Sequence, residues 1–181
     1  VLPVLAMGFT ATPLSDVTKP LYLYASLDLS RTAPTTDQAA ALLFEGQSRT
    51  FTLNPSLATS LTLDGVAEIT TNLLLSRFIF GATQNLTITI SASASGVIAT
   101  ESFVIAMPGS ATMMNFDVDV VGSPPASLAA GEVITLTLTH VAGAGFRIMN
   151  VKPSDGTTHS SVDFATDTAI NIEDIRVFDA S

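Results

Sequence analysis

Apolar and polar positions alternate with a period of two along much of the chain. Leu86, Ile88 and Ile90 alternate with Thr87 and Thr89, and Ile134, Leu136 and Leu138 with Thr135 and Thr137. This is the pattern of a strand with one face on a core and the other in water. Strand patterns recur at 21–24, 50–53, 60–63, 67–80, 85–91, 97–107, 113–121, 132–141, 147–151, 161–164 and 169–178. Turn signals separate them, among them Asn54-Pro55, Asp64-Gly65, Ser95-Gly96, Pro108-Gly109 and Asp155-Gly156. Only the Ala/Leu-rich stretch 38–44 predicts a helical turn, and its length makes it marginal as a helix. The pattern predicts an all-β fold, an antiparallel jelly-roll-like β-sandwich of about ten strands.

The first residues depart from this scheme. They carry no charge, and the large side chains Val1, Leu5, Met7 and Phe9 fall on one parity while the small Ala6 and Gly8 fall on the other. That parity predicts a strand with one bulky face and one close-packed face. A proline-bearing polar stretch with Pro13, Asp16 and Pro20 follows. The chain therefore divides into an apolar N-terminal strand at 1–11, a linker at 12–20 and a β-sandwich domain at 21–181. The lack of an initial Met suggests a mature secreted form from which a signal peptide has been removed. The apolar run is too short to cross a bilayer, so no membrane span is expected.

Composition narrows the function classes. Of 181 residues, 47% are hydrophobic and 13% charged, and Ser and Thr supply much of the polarity. Seven basic against sixteen acidic residues give a net charge of -9, a field that opposes nucleic-acid phosphates. Without cysteine there is neither a disulfide framework nor a thiolate metal site.

Candidate chemistry is sparse. His140 ends an alternating strand and is expected near the rim of the sandwich. His159 lies beside Ser160, Ser161 and Asp163, yet neighbours on an extended chain do not converge as a catalytic triad without a special turn. Asp117 and Asp119 share one strand parity about 7 Å apart, a solvated face or a carboxylate pair for acid-base work or Ca²⁺. Asp163, Asp167, Glu173 and Asp174 form a second acidic group with no dense calcium-loop pattern. Tyr22 and Tyr24 share a parity and are the candidate ligand platform in a chain without Trp, while Asn85-Leu-Thr87 is a candidate glycosylation sequon. No catalytic residue, resident metal or cofactor is expected.

The segments Phe146 to Val151, His159 to Phe164 and Thr168 to Asp179, with Pro20 to Tyr24, Thr50 to Leu57 and Leu61 to Gly65, resemble β-sandwich domains of prokaryotic secreted and surface proteins. The apolar N-terminal strand with its linker resembles the organisation of extracellular filament subunits assembled by donor-strand complementation. That second resemblance implies a non-enzymatic subunit of a filament, pilus-like fibre or surface assembly. Its partners would be other copies of itself, with Val1, Leu5, Met7 and Phe9 inserted into a neighbour's open sheet. The alternative is a secreted module that binds carbohydrate or a cell surface through Tyr22 and Tyr24.

Overall fold

Thirteen strands are formed among residues 20–63, 68–79, 83–122, 127–141 and 147–164, which the computed structural model describes. They are β1 (Leu21–Leu23), β2 (Asp28–Ser30), β3 (Ala41–Phe44), β4 (Ser48–Leu53), β5 (Leu61–Thr62), β6 (Glu68–Ile79) and β7 (Thr83–Ala92). The remainder are β8 (Gly96–Ala106), β9 (Thr112–Asp119), β10 (Ser127–Leu128), β11 (Ile134–His140), β12 (Ile148–Lys152) and β13 (Ser161–Asp163). The described residues contain no helix. The helical turn expected at 38–44 is instead β3, paired antiparallel with β12 from Ala41↔Val151 to Phe44↔Ile148. Four residues, Ala41 to Phe44, cannot repay helix nucleation, whereas a neighbouring strand supplies a complete ladder.

The pairings form a ring. From β6 they run through β13, β1, β2, β4, β11 and β7 to β8, and β9 lies on the other flank of β6. An isolated bridge, Ala99↔Val120, with Val121 N–H donating to Ile98 O at 2.7 Å, joins β8 to the end of β9. The sheet thus closes on itself, flattened into two walls over one core, and all its pairs are antiparallel except β2 with β4. β5 and β10 form a separate two-stranded ladder.

The core follows from the alternation. β7 and β11 bury every second residue, placing Leu86, Ile88, Ile90, Ile134, Leu136 and Leu138 in one apolar cluster with Phe51, Leu73, Leu75, Phe116, Val151 and Phe164. β6 is buried nearly throughout 73–76, as suits a strand flanked by partners on both sides.

The outer face of the β4-β11-β7-β8 wall is a regular array of hydroxyls. Register places Ser48, Thr139, Thr87 and Ser102 in one row and Thr50, Thr137, Thr89 and Thr100 in the next, followed by Thr52, Thr135 and Ser91. Within the rows, hydroxyls bond across strands in the pairs Ser48 with Thr139 (2.8 Å), Thr50 with Thr137 (3.0 Å), Thr87 with Ser102 (2.7 Å) and Thr89 with Thr100 (2.9 Å). β-Branched Thr fits a pleated surface and its hydroxyl meets water, so one residue type serves both demands.

The apolar strand at 1–11, all but residue 20 of the linker and the pattern at 169–178 lie outside the described residues.

Candidate functional site

The loop between β1 and β2 borders an open cleft. Tyr24 N–H donates to Asp28 O and Leu27 N–H to Tyr24 O, both at 2.9 Å, so the chain reverses within a few residues. Leu27 completes the reversal with φ of 69°, a left-handed conformation costly for a branched side chain. Its carbonyl then accepts from Thr52 N–H at 2.9 Å, which docks the reversal onto β4. The result is an open cleft of about 280 Å³ lined by Tyr24, Asp28, Ser30 and Asn54.

Tyr24, Asp28 and Ser30 are held by neighbours. The Tyr24 hydroxyl donates to Thr32 O at 3.1 Å, the Ser26 hydroxyl to Asp28 Oδ2, and Thr32 N–H to Ser30 Oγ at 3.2 Å. Arg31 braces the far side, its guanidinium donating to the carbonyls of Pro55 and Ser56 at 3.2 Å each. The cleft thus offers a phenol, a carboxylate, a hydroxyl and a carboxamide, which can hold a polar ligand by hydrogen bonds. Among the described residues no histidine lines the cleft, and its one carboxylate, Asp28, is engaged by the Ser26 hydroxyl rather than by Ser30. Tyr22 in β1 and Tyr24 just after it are both half-buried. Tyr24 lines the cleft, whereas the Tyr22 ring meets His159 edge to face, with centroids 5.8 Å apart.

His159 belongs to a second polar group, the turn between β12 and β13. Ser154 Oγ lies 2.9 Å from His159 Nδ1 and accepts from Gly156 N–H at 2.9 Å. Asp155 Oδ1 accepts from Thr157 N–H (2.9 Å), the Thr157 hydroxyl (2.8 Å) and Thr158 N–H (2.8 Å). The backbone N–H of Thr158, then that of Thr157 and its hydroxyl, hold the Asp155 carboxyl down to about 2. Ser160 Oγ donates to Lys152 O at 2.7 Å and accepts from Leu74 N–H at 2.8 Å, tying the turn to β6. A serine and a histidine do meet here, but Ser154 is fully buried and Asp155 is consumed by its own turn. Ser160 and Ser161 are buried, and Asp163 sits in the ladder opposite Thr70. The geometry is that of a stabilised turn rather than a triad open to substrate.

His140 departs from its expected place at the rim. It ends β11 but is wholly buried, with Nδ1 3.0 Å from Leu43 O. The interior row of β11 simply continues through it. Asp117 and Asp119 are exposed, Asp117 accepting from the Thr70 hydroxyl at 2.8 Å. Among the described residues no group of three or more His, Asp or Glu side chains could hold a metal ion. Asn85 is half-buried on the outer side of β7, opposite Val104. Val1, Leu5, Met7, Phe9, Asp167, Glu173 and Asp174 lie outside the described residues.

Sequence reasoning missed Glu132. Only 5% exposed, its carboxylate accepts from Ala129 N–H (2.7 Å), Ser95 N–H (3.0 Å), Ala94 N–H (3.2 Å) and the Ser95 hydroxyl (3.0 Å). The Ala129 N–H, joined by those of Ser95 and Ala94, outweighs burial and lowers its pKa. This carboxylate clasps the β7–β8 turn to the segment entering β11. It also missed Asp28, Ser30 and Asn54, which only the pairing of β2 with β4 brings together.

No family model matches the sequence, and no curated protein matches it significantly. Solved structures do resemble its fold. An α-amino acid ester hydrolase matches with a TM-score of 0.61 at 12% identity, over 81% of this chain and 36% of that one. An aminopeptidase from a marine sediment Thaumarchaeota archaeon matches at 0.58 and 8% identity, over 80% and 36%. A CocE/NonD family hydrolase from Staphylococcus aureus matches at 0.55 and 12% identity, over 83% and 36%. These likenesses overturn the expected filament subunit polymerised by strand exchange: the fold recurs within hydrolase chains. At these identities the resemblance establishes a shared β-sandwich fold, and this chain spans about a third of the length of the hydrolase chains it matches.

Proposed function

We propose that this chain is a non-catalytic β-sandwich module that accompanies the catalytic part of a hydrolase. The observation that carries this reading is the internal use of its reactive groups. Ser154, Asp155, His159 and Ser160 spend their hydrogen bonds on the turn they build, and in the open cleft the Asp28 carboxylate is engaged by Ser26 rather than by Ser30. A fold resembling about a third of several hydrolase chains supports the same reading. In this role the module contributes surface and stability, and hydrolysis belongs to other residues.

The test is hydrolysis of chromogenic amino-acid esters and aminoacyl anilides by the purified chain. Release at the buffer rate, unchanged in Ser154→Ala and His159→Ala, is the expected result. Turnover by the wild-type chain that disappears in either variant would overturn the proposal and make the Ser154–His159 pair catalytic.

A further inference from the structure

The interior of the sandwich contains two polar side chains that the proposed function does not use. His140 and Gln84 are both fully buried, on the adjacent strands β11 and β7. His140 lies opposite Leu86, so Gln84 is the next interior position along β7 and a diagonal neighbour of His140. Such diagonals are about 7–8 Å apart, within reach of long side chains. The His140 main chain is fully paired: its N–H donates to Gln47 O at 2.9 Å and its carbonyl accepts from Gly46 N–H at 2.7 Å.

The side chains are not. His140 Nδ1 faces Leu43 O at 3.0 Å, and a carbonyl can only accept, so the proton resides on Nδ1 and Nε2 presents a lone pair. Among the described residues that Nε2 has no hydrogen-bonding partner, and neither do Oε1 and Nε2 of Gln84. Three unmatched buried atoms on two neighbouring side chains are a heavy penalty unless something satisfies them together.

We infer that His140 and Gln84 hold one buried water molecule between them. It donates one hydrogen to His140 Nε2 and the other to Gln84 Oε1, and accepts from the Gln84 amide. Three bonds are usual for an internal water, and donors and acceptors match one for one.

The site has a consequence for the sheet. Along β11 and β7 the outward residues are Thr or Ser from 87 to 91 and 135 to 139, and the inward ones are Ile or Leu. A slip by one residue would turn apolar side chains outward, but a slip by two sets Thr against Thr and Leu against Ile again. The periodic part of these strands therefore cannot choose between such registers. His140 and Gln84 break the repeat at one end, and only the observed register lets them share a water while Nδ1 reaches Leu43 on β3. The hydrated pair is a register lock for this wall of the sandwich.

A double-mutant cycle with Gln84→Leu, His140→Leu and the double variant, read by urea unfolding, tests this. Each single substitution should lower the folding equilibrium constant at least tenfold, because it leaves the water and the other side chain short of partners. The double variant should lose at least fivefold less than the product of the single losses. Single variants that equal or exceed the wild type in stability, or losses that multiply to within twofold, would overturn the inference. Should the variants fail to fold, water relaxation dispersion on the wild-type chain decides: a long-lived internal water with transferred signal to the His140 and Gln84 side chains supports the lock, and its absence refutes it.

Discussion

Replacing Glu132 tests whether a single carboxylate holds the β7–β8 turn in place. Four hydrogen bonds converge on it, from Ala129 N–H, Ser95 N–H, Ala94 N–H and the Ser95 hydroxyl. Bonds to a charged group contribute about 1.5–3 kcal/mol each, but Ala94, Ser95 and Ala129 lie in exposed residues whose donors can turn to water, which brings each nearer to about 0.5–1 kcal/mol. Glu132→Ala should therefore cost about 2–4 kcal/mol, a large part of a typical domain's stability of about 5–15 kcal/mol. Glu132→Gln should cost about 2 kcal/mol, since one amide oxygen cannot serve four donors and its NH₂ faces another donor. Urea unfolding followed by far-UV circular dichroism measures both. The pKa of Glu132 is lowered from its ordinary 4.5, so the stability due to its charge is present above that value and is lost as pH falls through the lowered one. Glu132→Gln has no such charge, so its deficit should shrink as the wild type is acidified. A Glu132→Ala deficit below about 0.5 kcal/mol at pH 7, the range of an unremarkable surface change, would refute the reasoning, as would a Glu132→Gln deficit that persists unchanged in acid.

Three further outcomes follow from the packing and the turns. Leu136→Ala, in the centre of the apolar cluster, should destabilise the domain by about 2–5 kcal/mol in the same urea assay. Asp155 is held down to about 2, so the amide resonances of Thr157 and Thr158 should titrate by NMR with an inflection near that value. The stability from this charged cap is present above the ordinary 3.8 and fades between there and about 2, a dependence that Asp155→Asn should abolish. Thr50→Val removes one cross-strand hydroxyl bond while keeping the β-branch, so it should cost less than about 1 kcal/mol and leave the dichroism spectrum unchanged.

The strands that alternate strictly were legible before the structure. The pattern in 85–91 and 132–141 gave β7 and β11 within two residues at each end, because one face is buried and the other wet along their whole length. β3 was misread because four apolar residues carry no period, and only β12 decides their state. β2 was invisible: three residues, of which Leu29 alone is buried, owe their strand character to β1 on one side and the parallel β4 on the other. The cleft follows the same rule. Tyr24 could be singled out by parity, but Asp28, Ser30 and Asn54 meet it through a reversal at Leu27 that no glycine announces. His140 was placed at the wrong depth because a strand end in sequence need not be the edge of a core. Glu132 looked like an ordinary acid at the mouth of a strand, since beside the nearby Ala129 N–H the donors that claim it, at Ala94 and Ser95, belong to a turn 37–38 residues away in sequence.

The hydroxyl rows on the outer wall bear on how that face is hydrated. A protein that relies on charge for its hydration shell loses part of that protection when salt screens it or pH neutralises it. Eleven neutral hydroxyl-bearing residues across β4, β11, β7 and β8 have no charge to screen or titrate. Hydration through these hydroxyls therefore depends neither on ionic strength nor on titration, and it adds nothing to the like-charge repulsion of a chain with a net charge of -9.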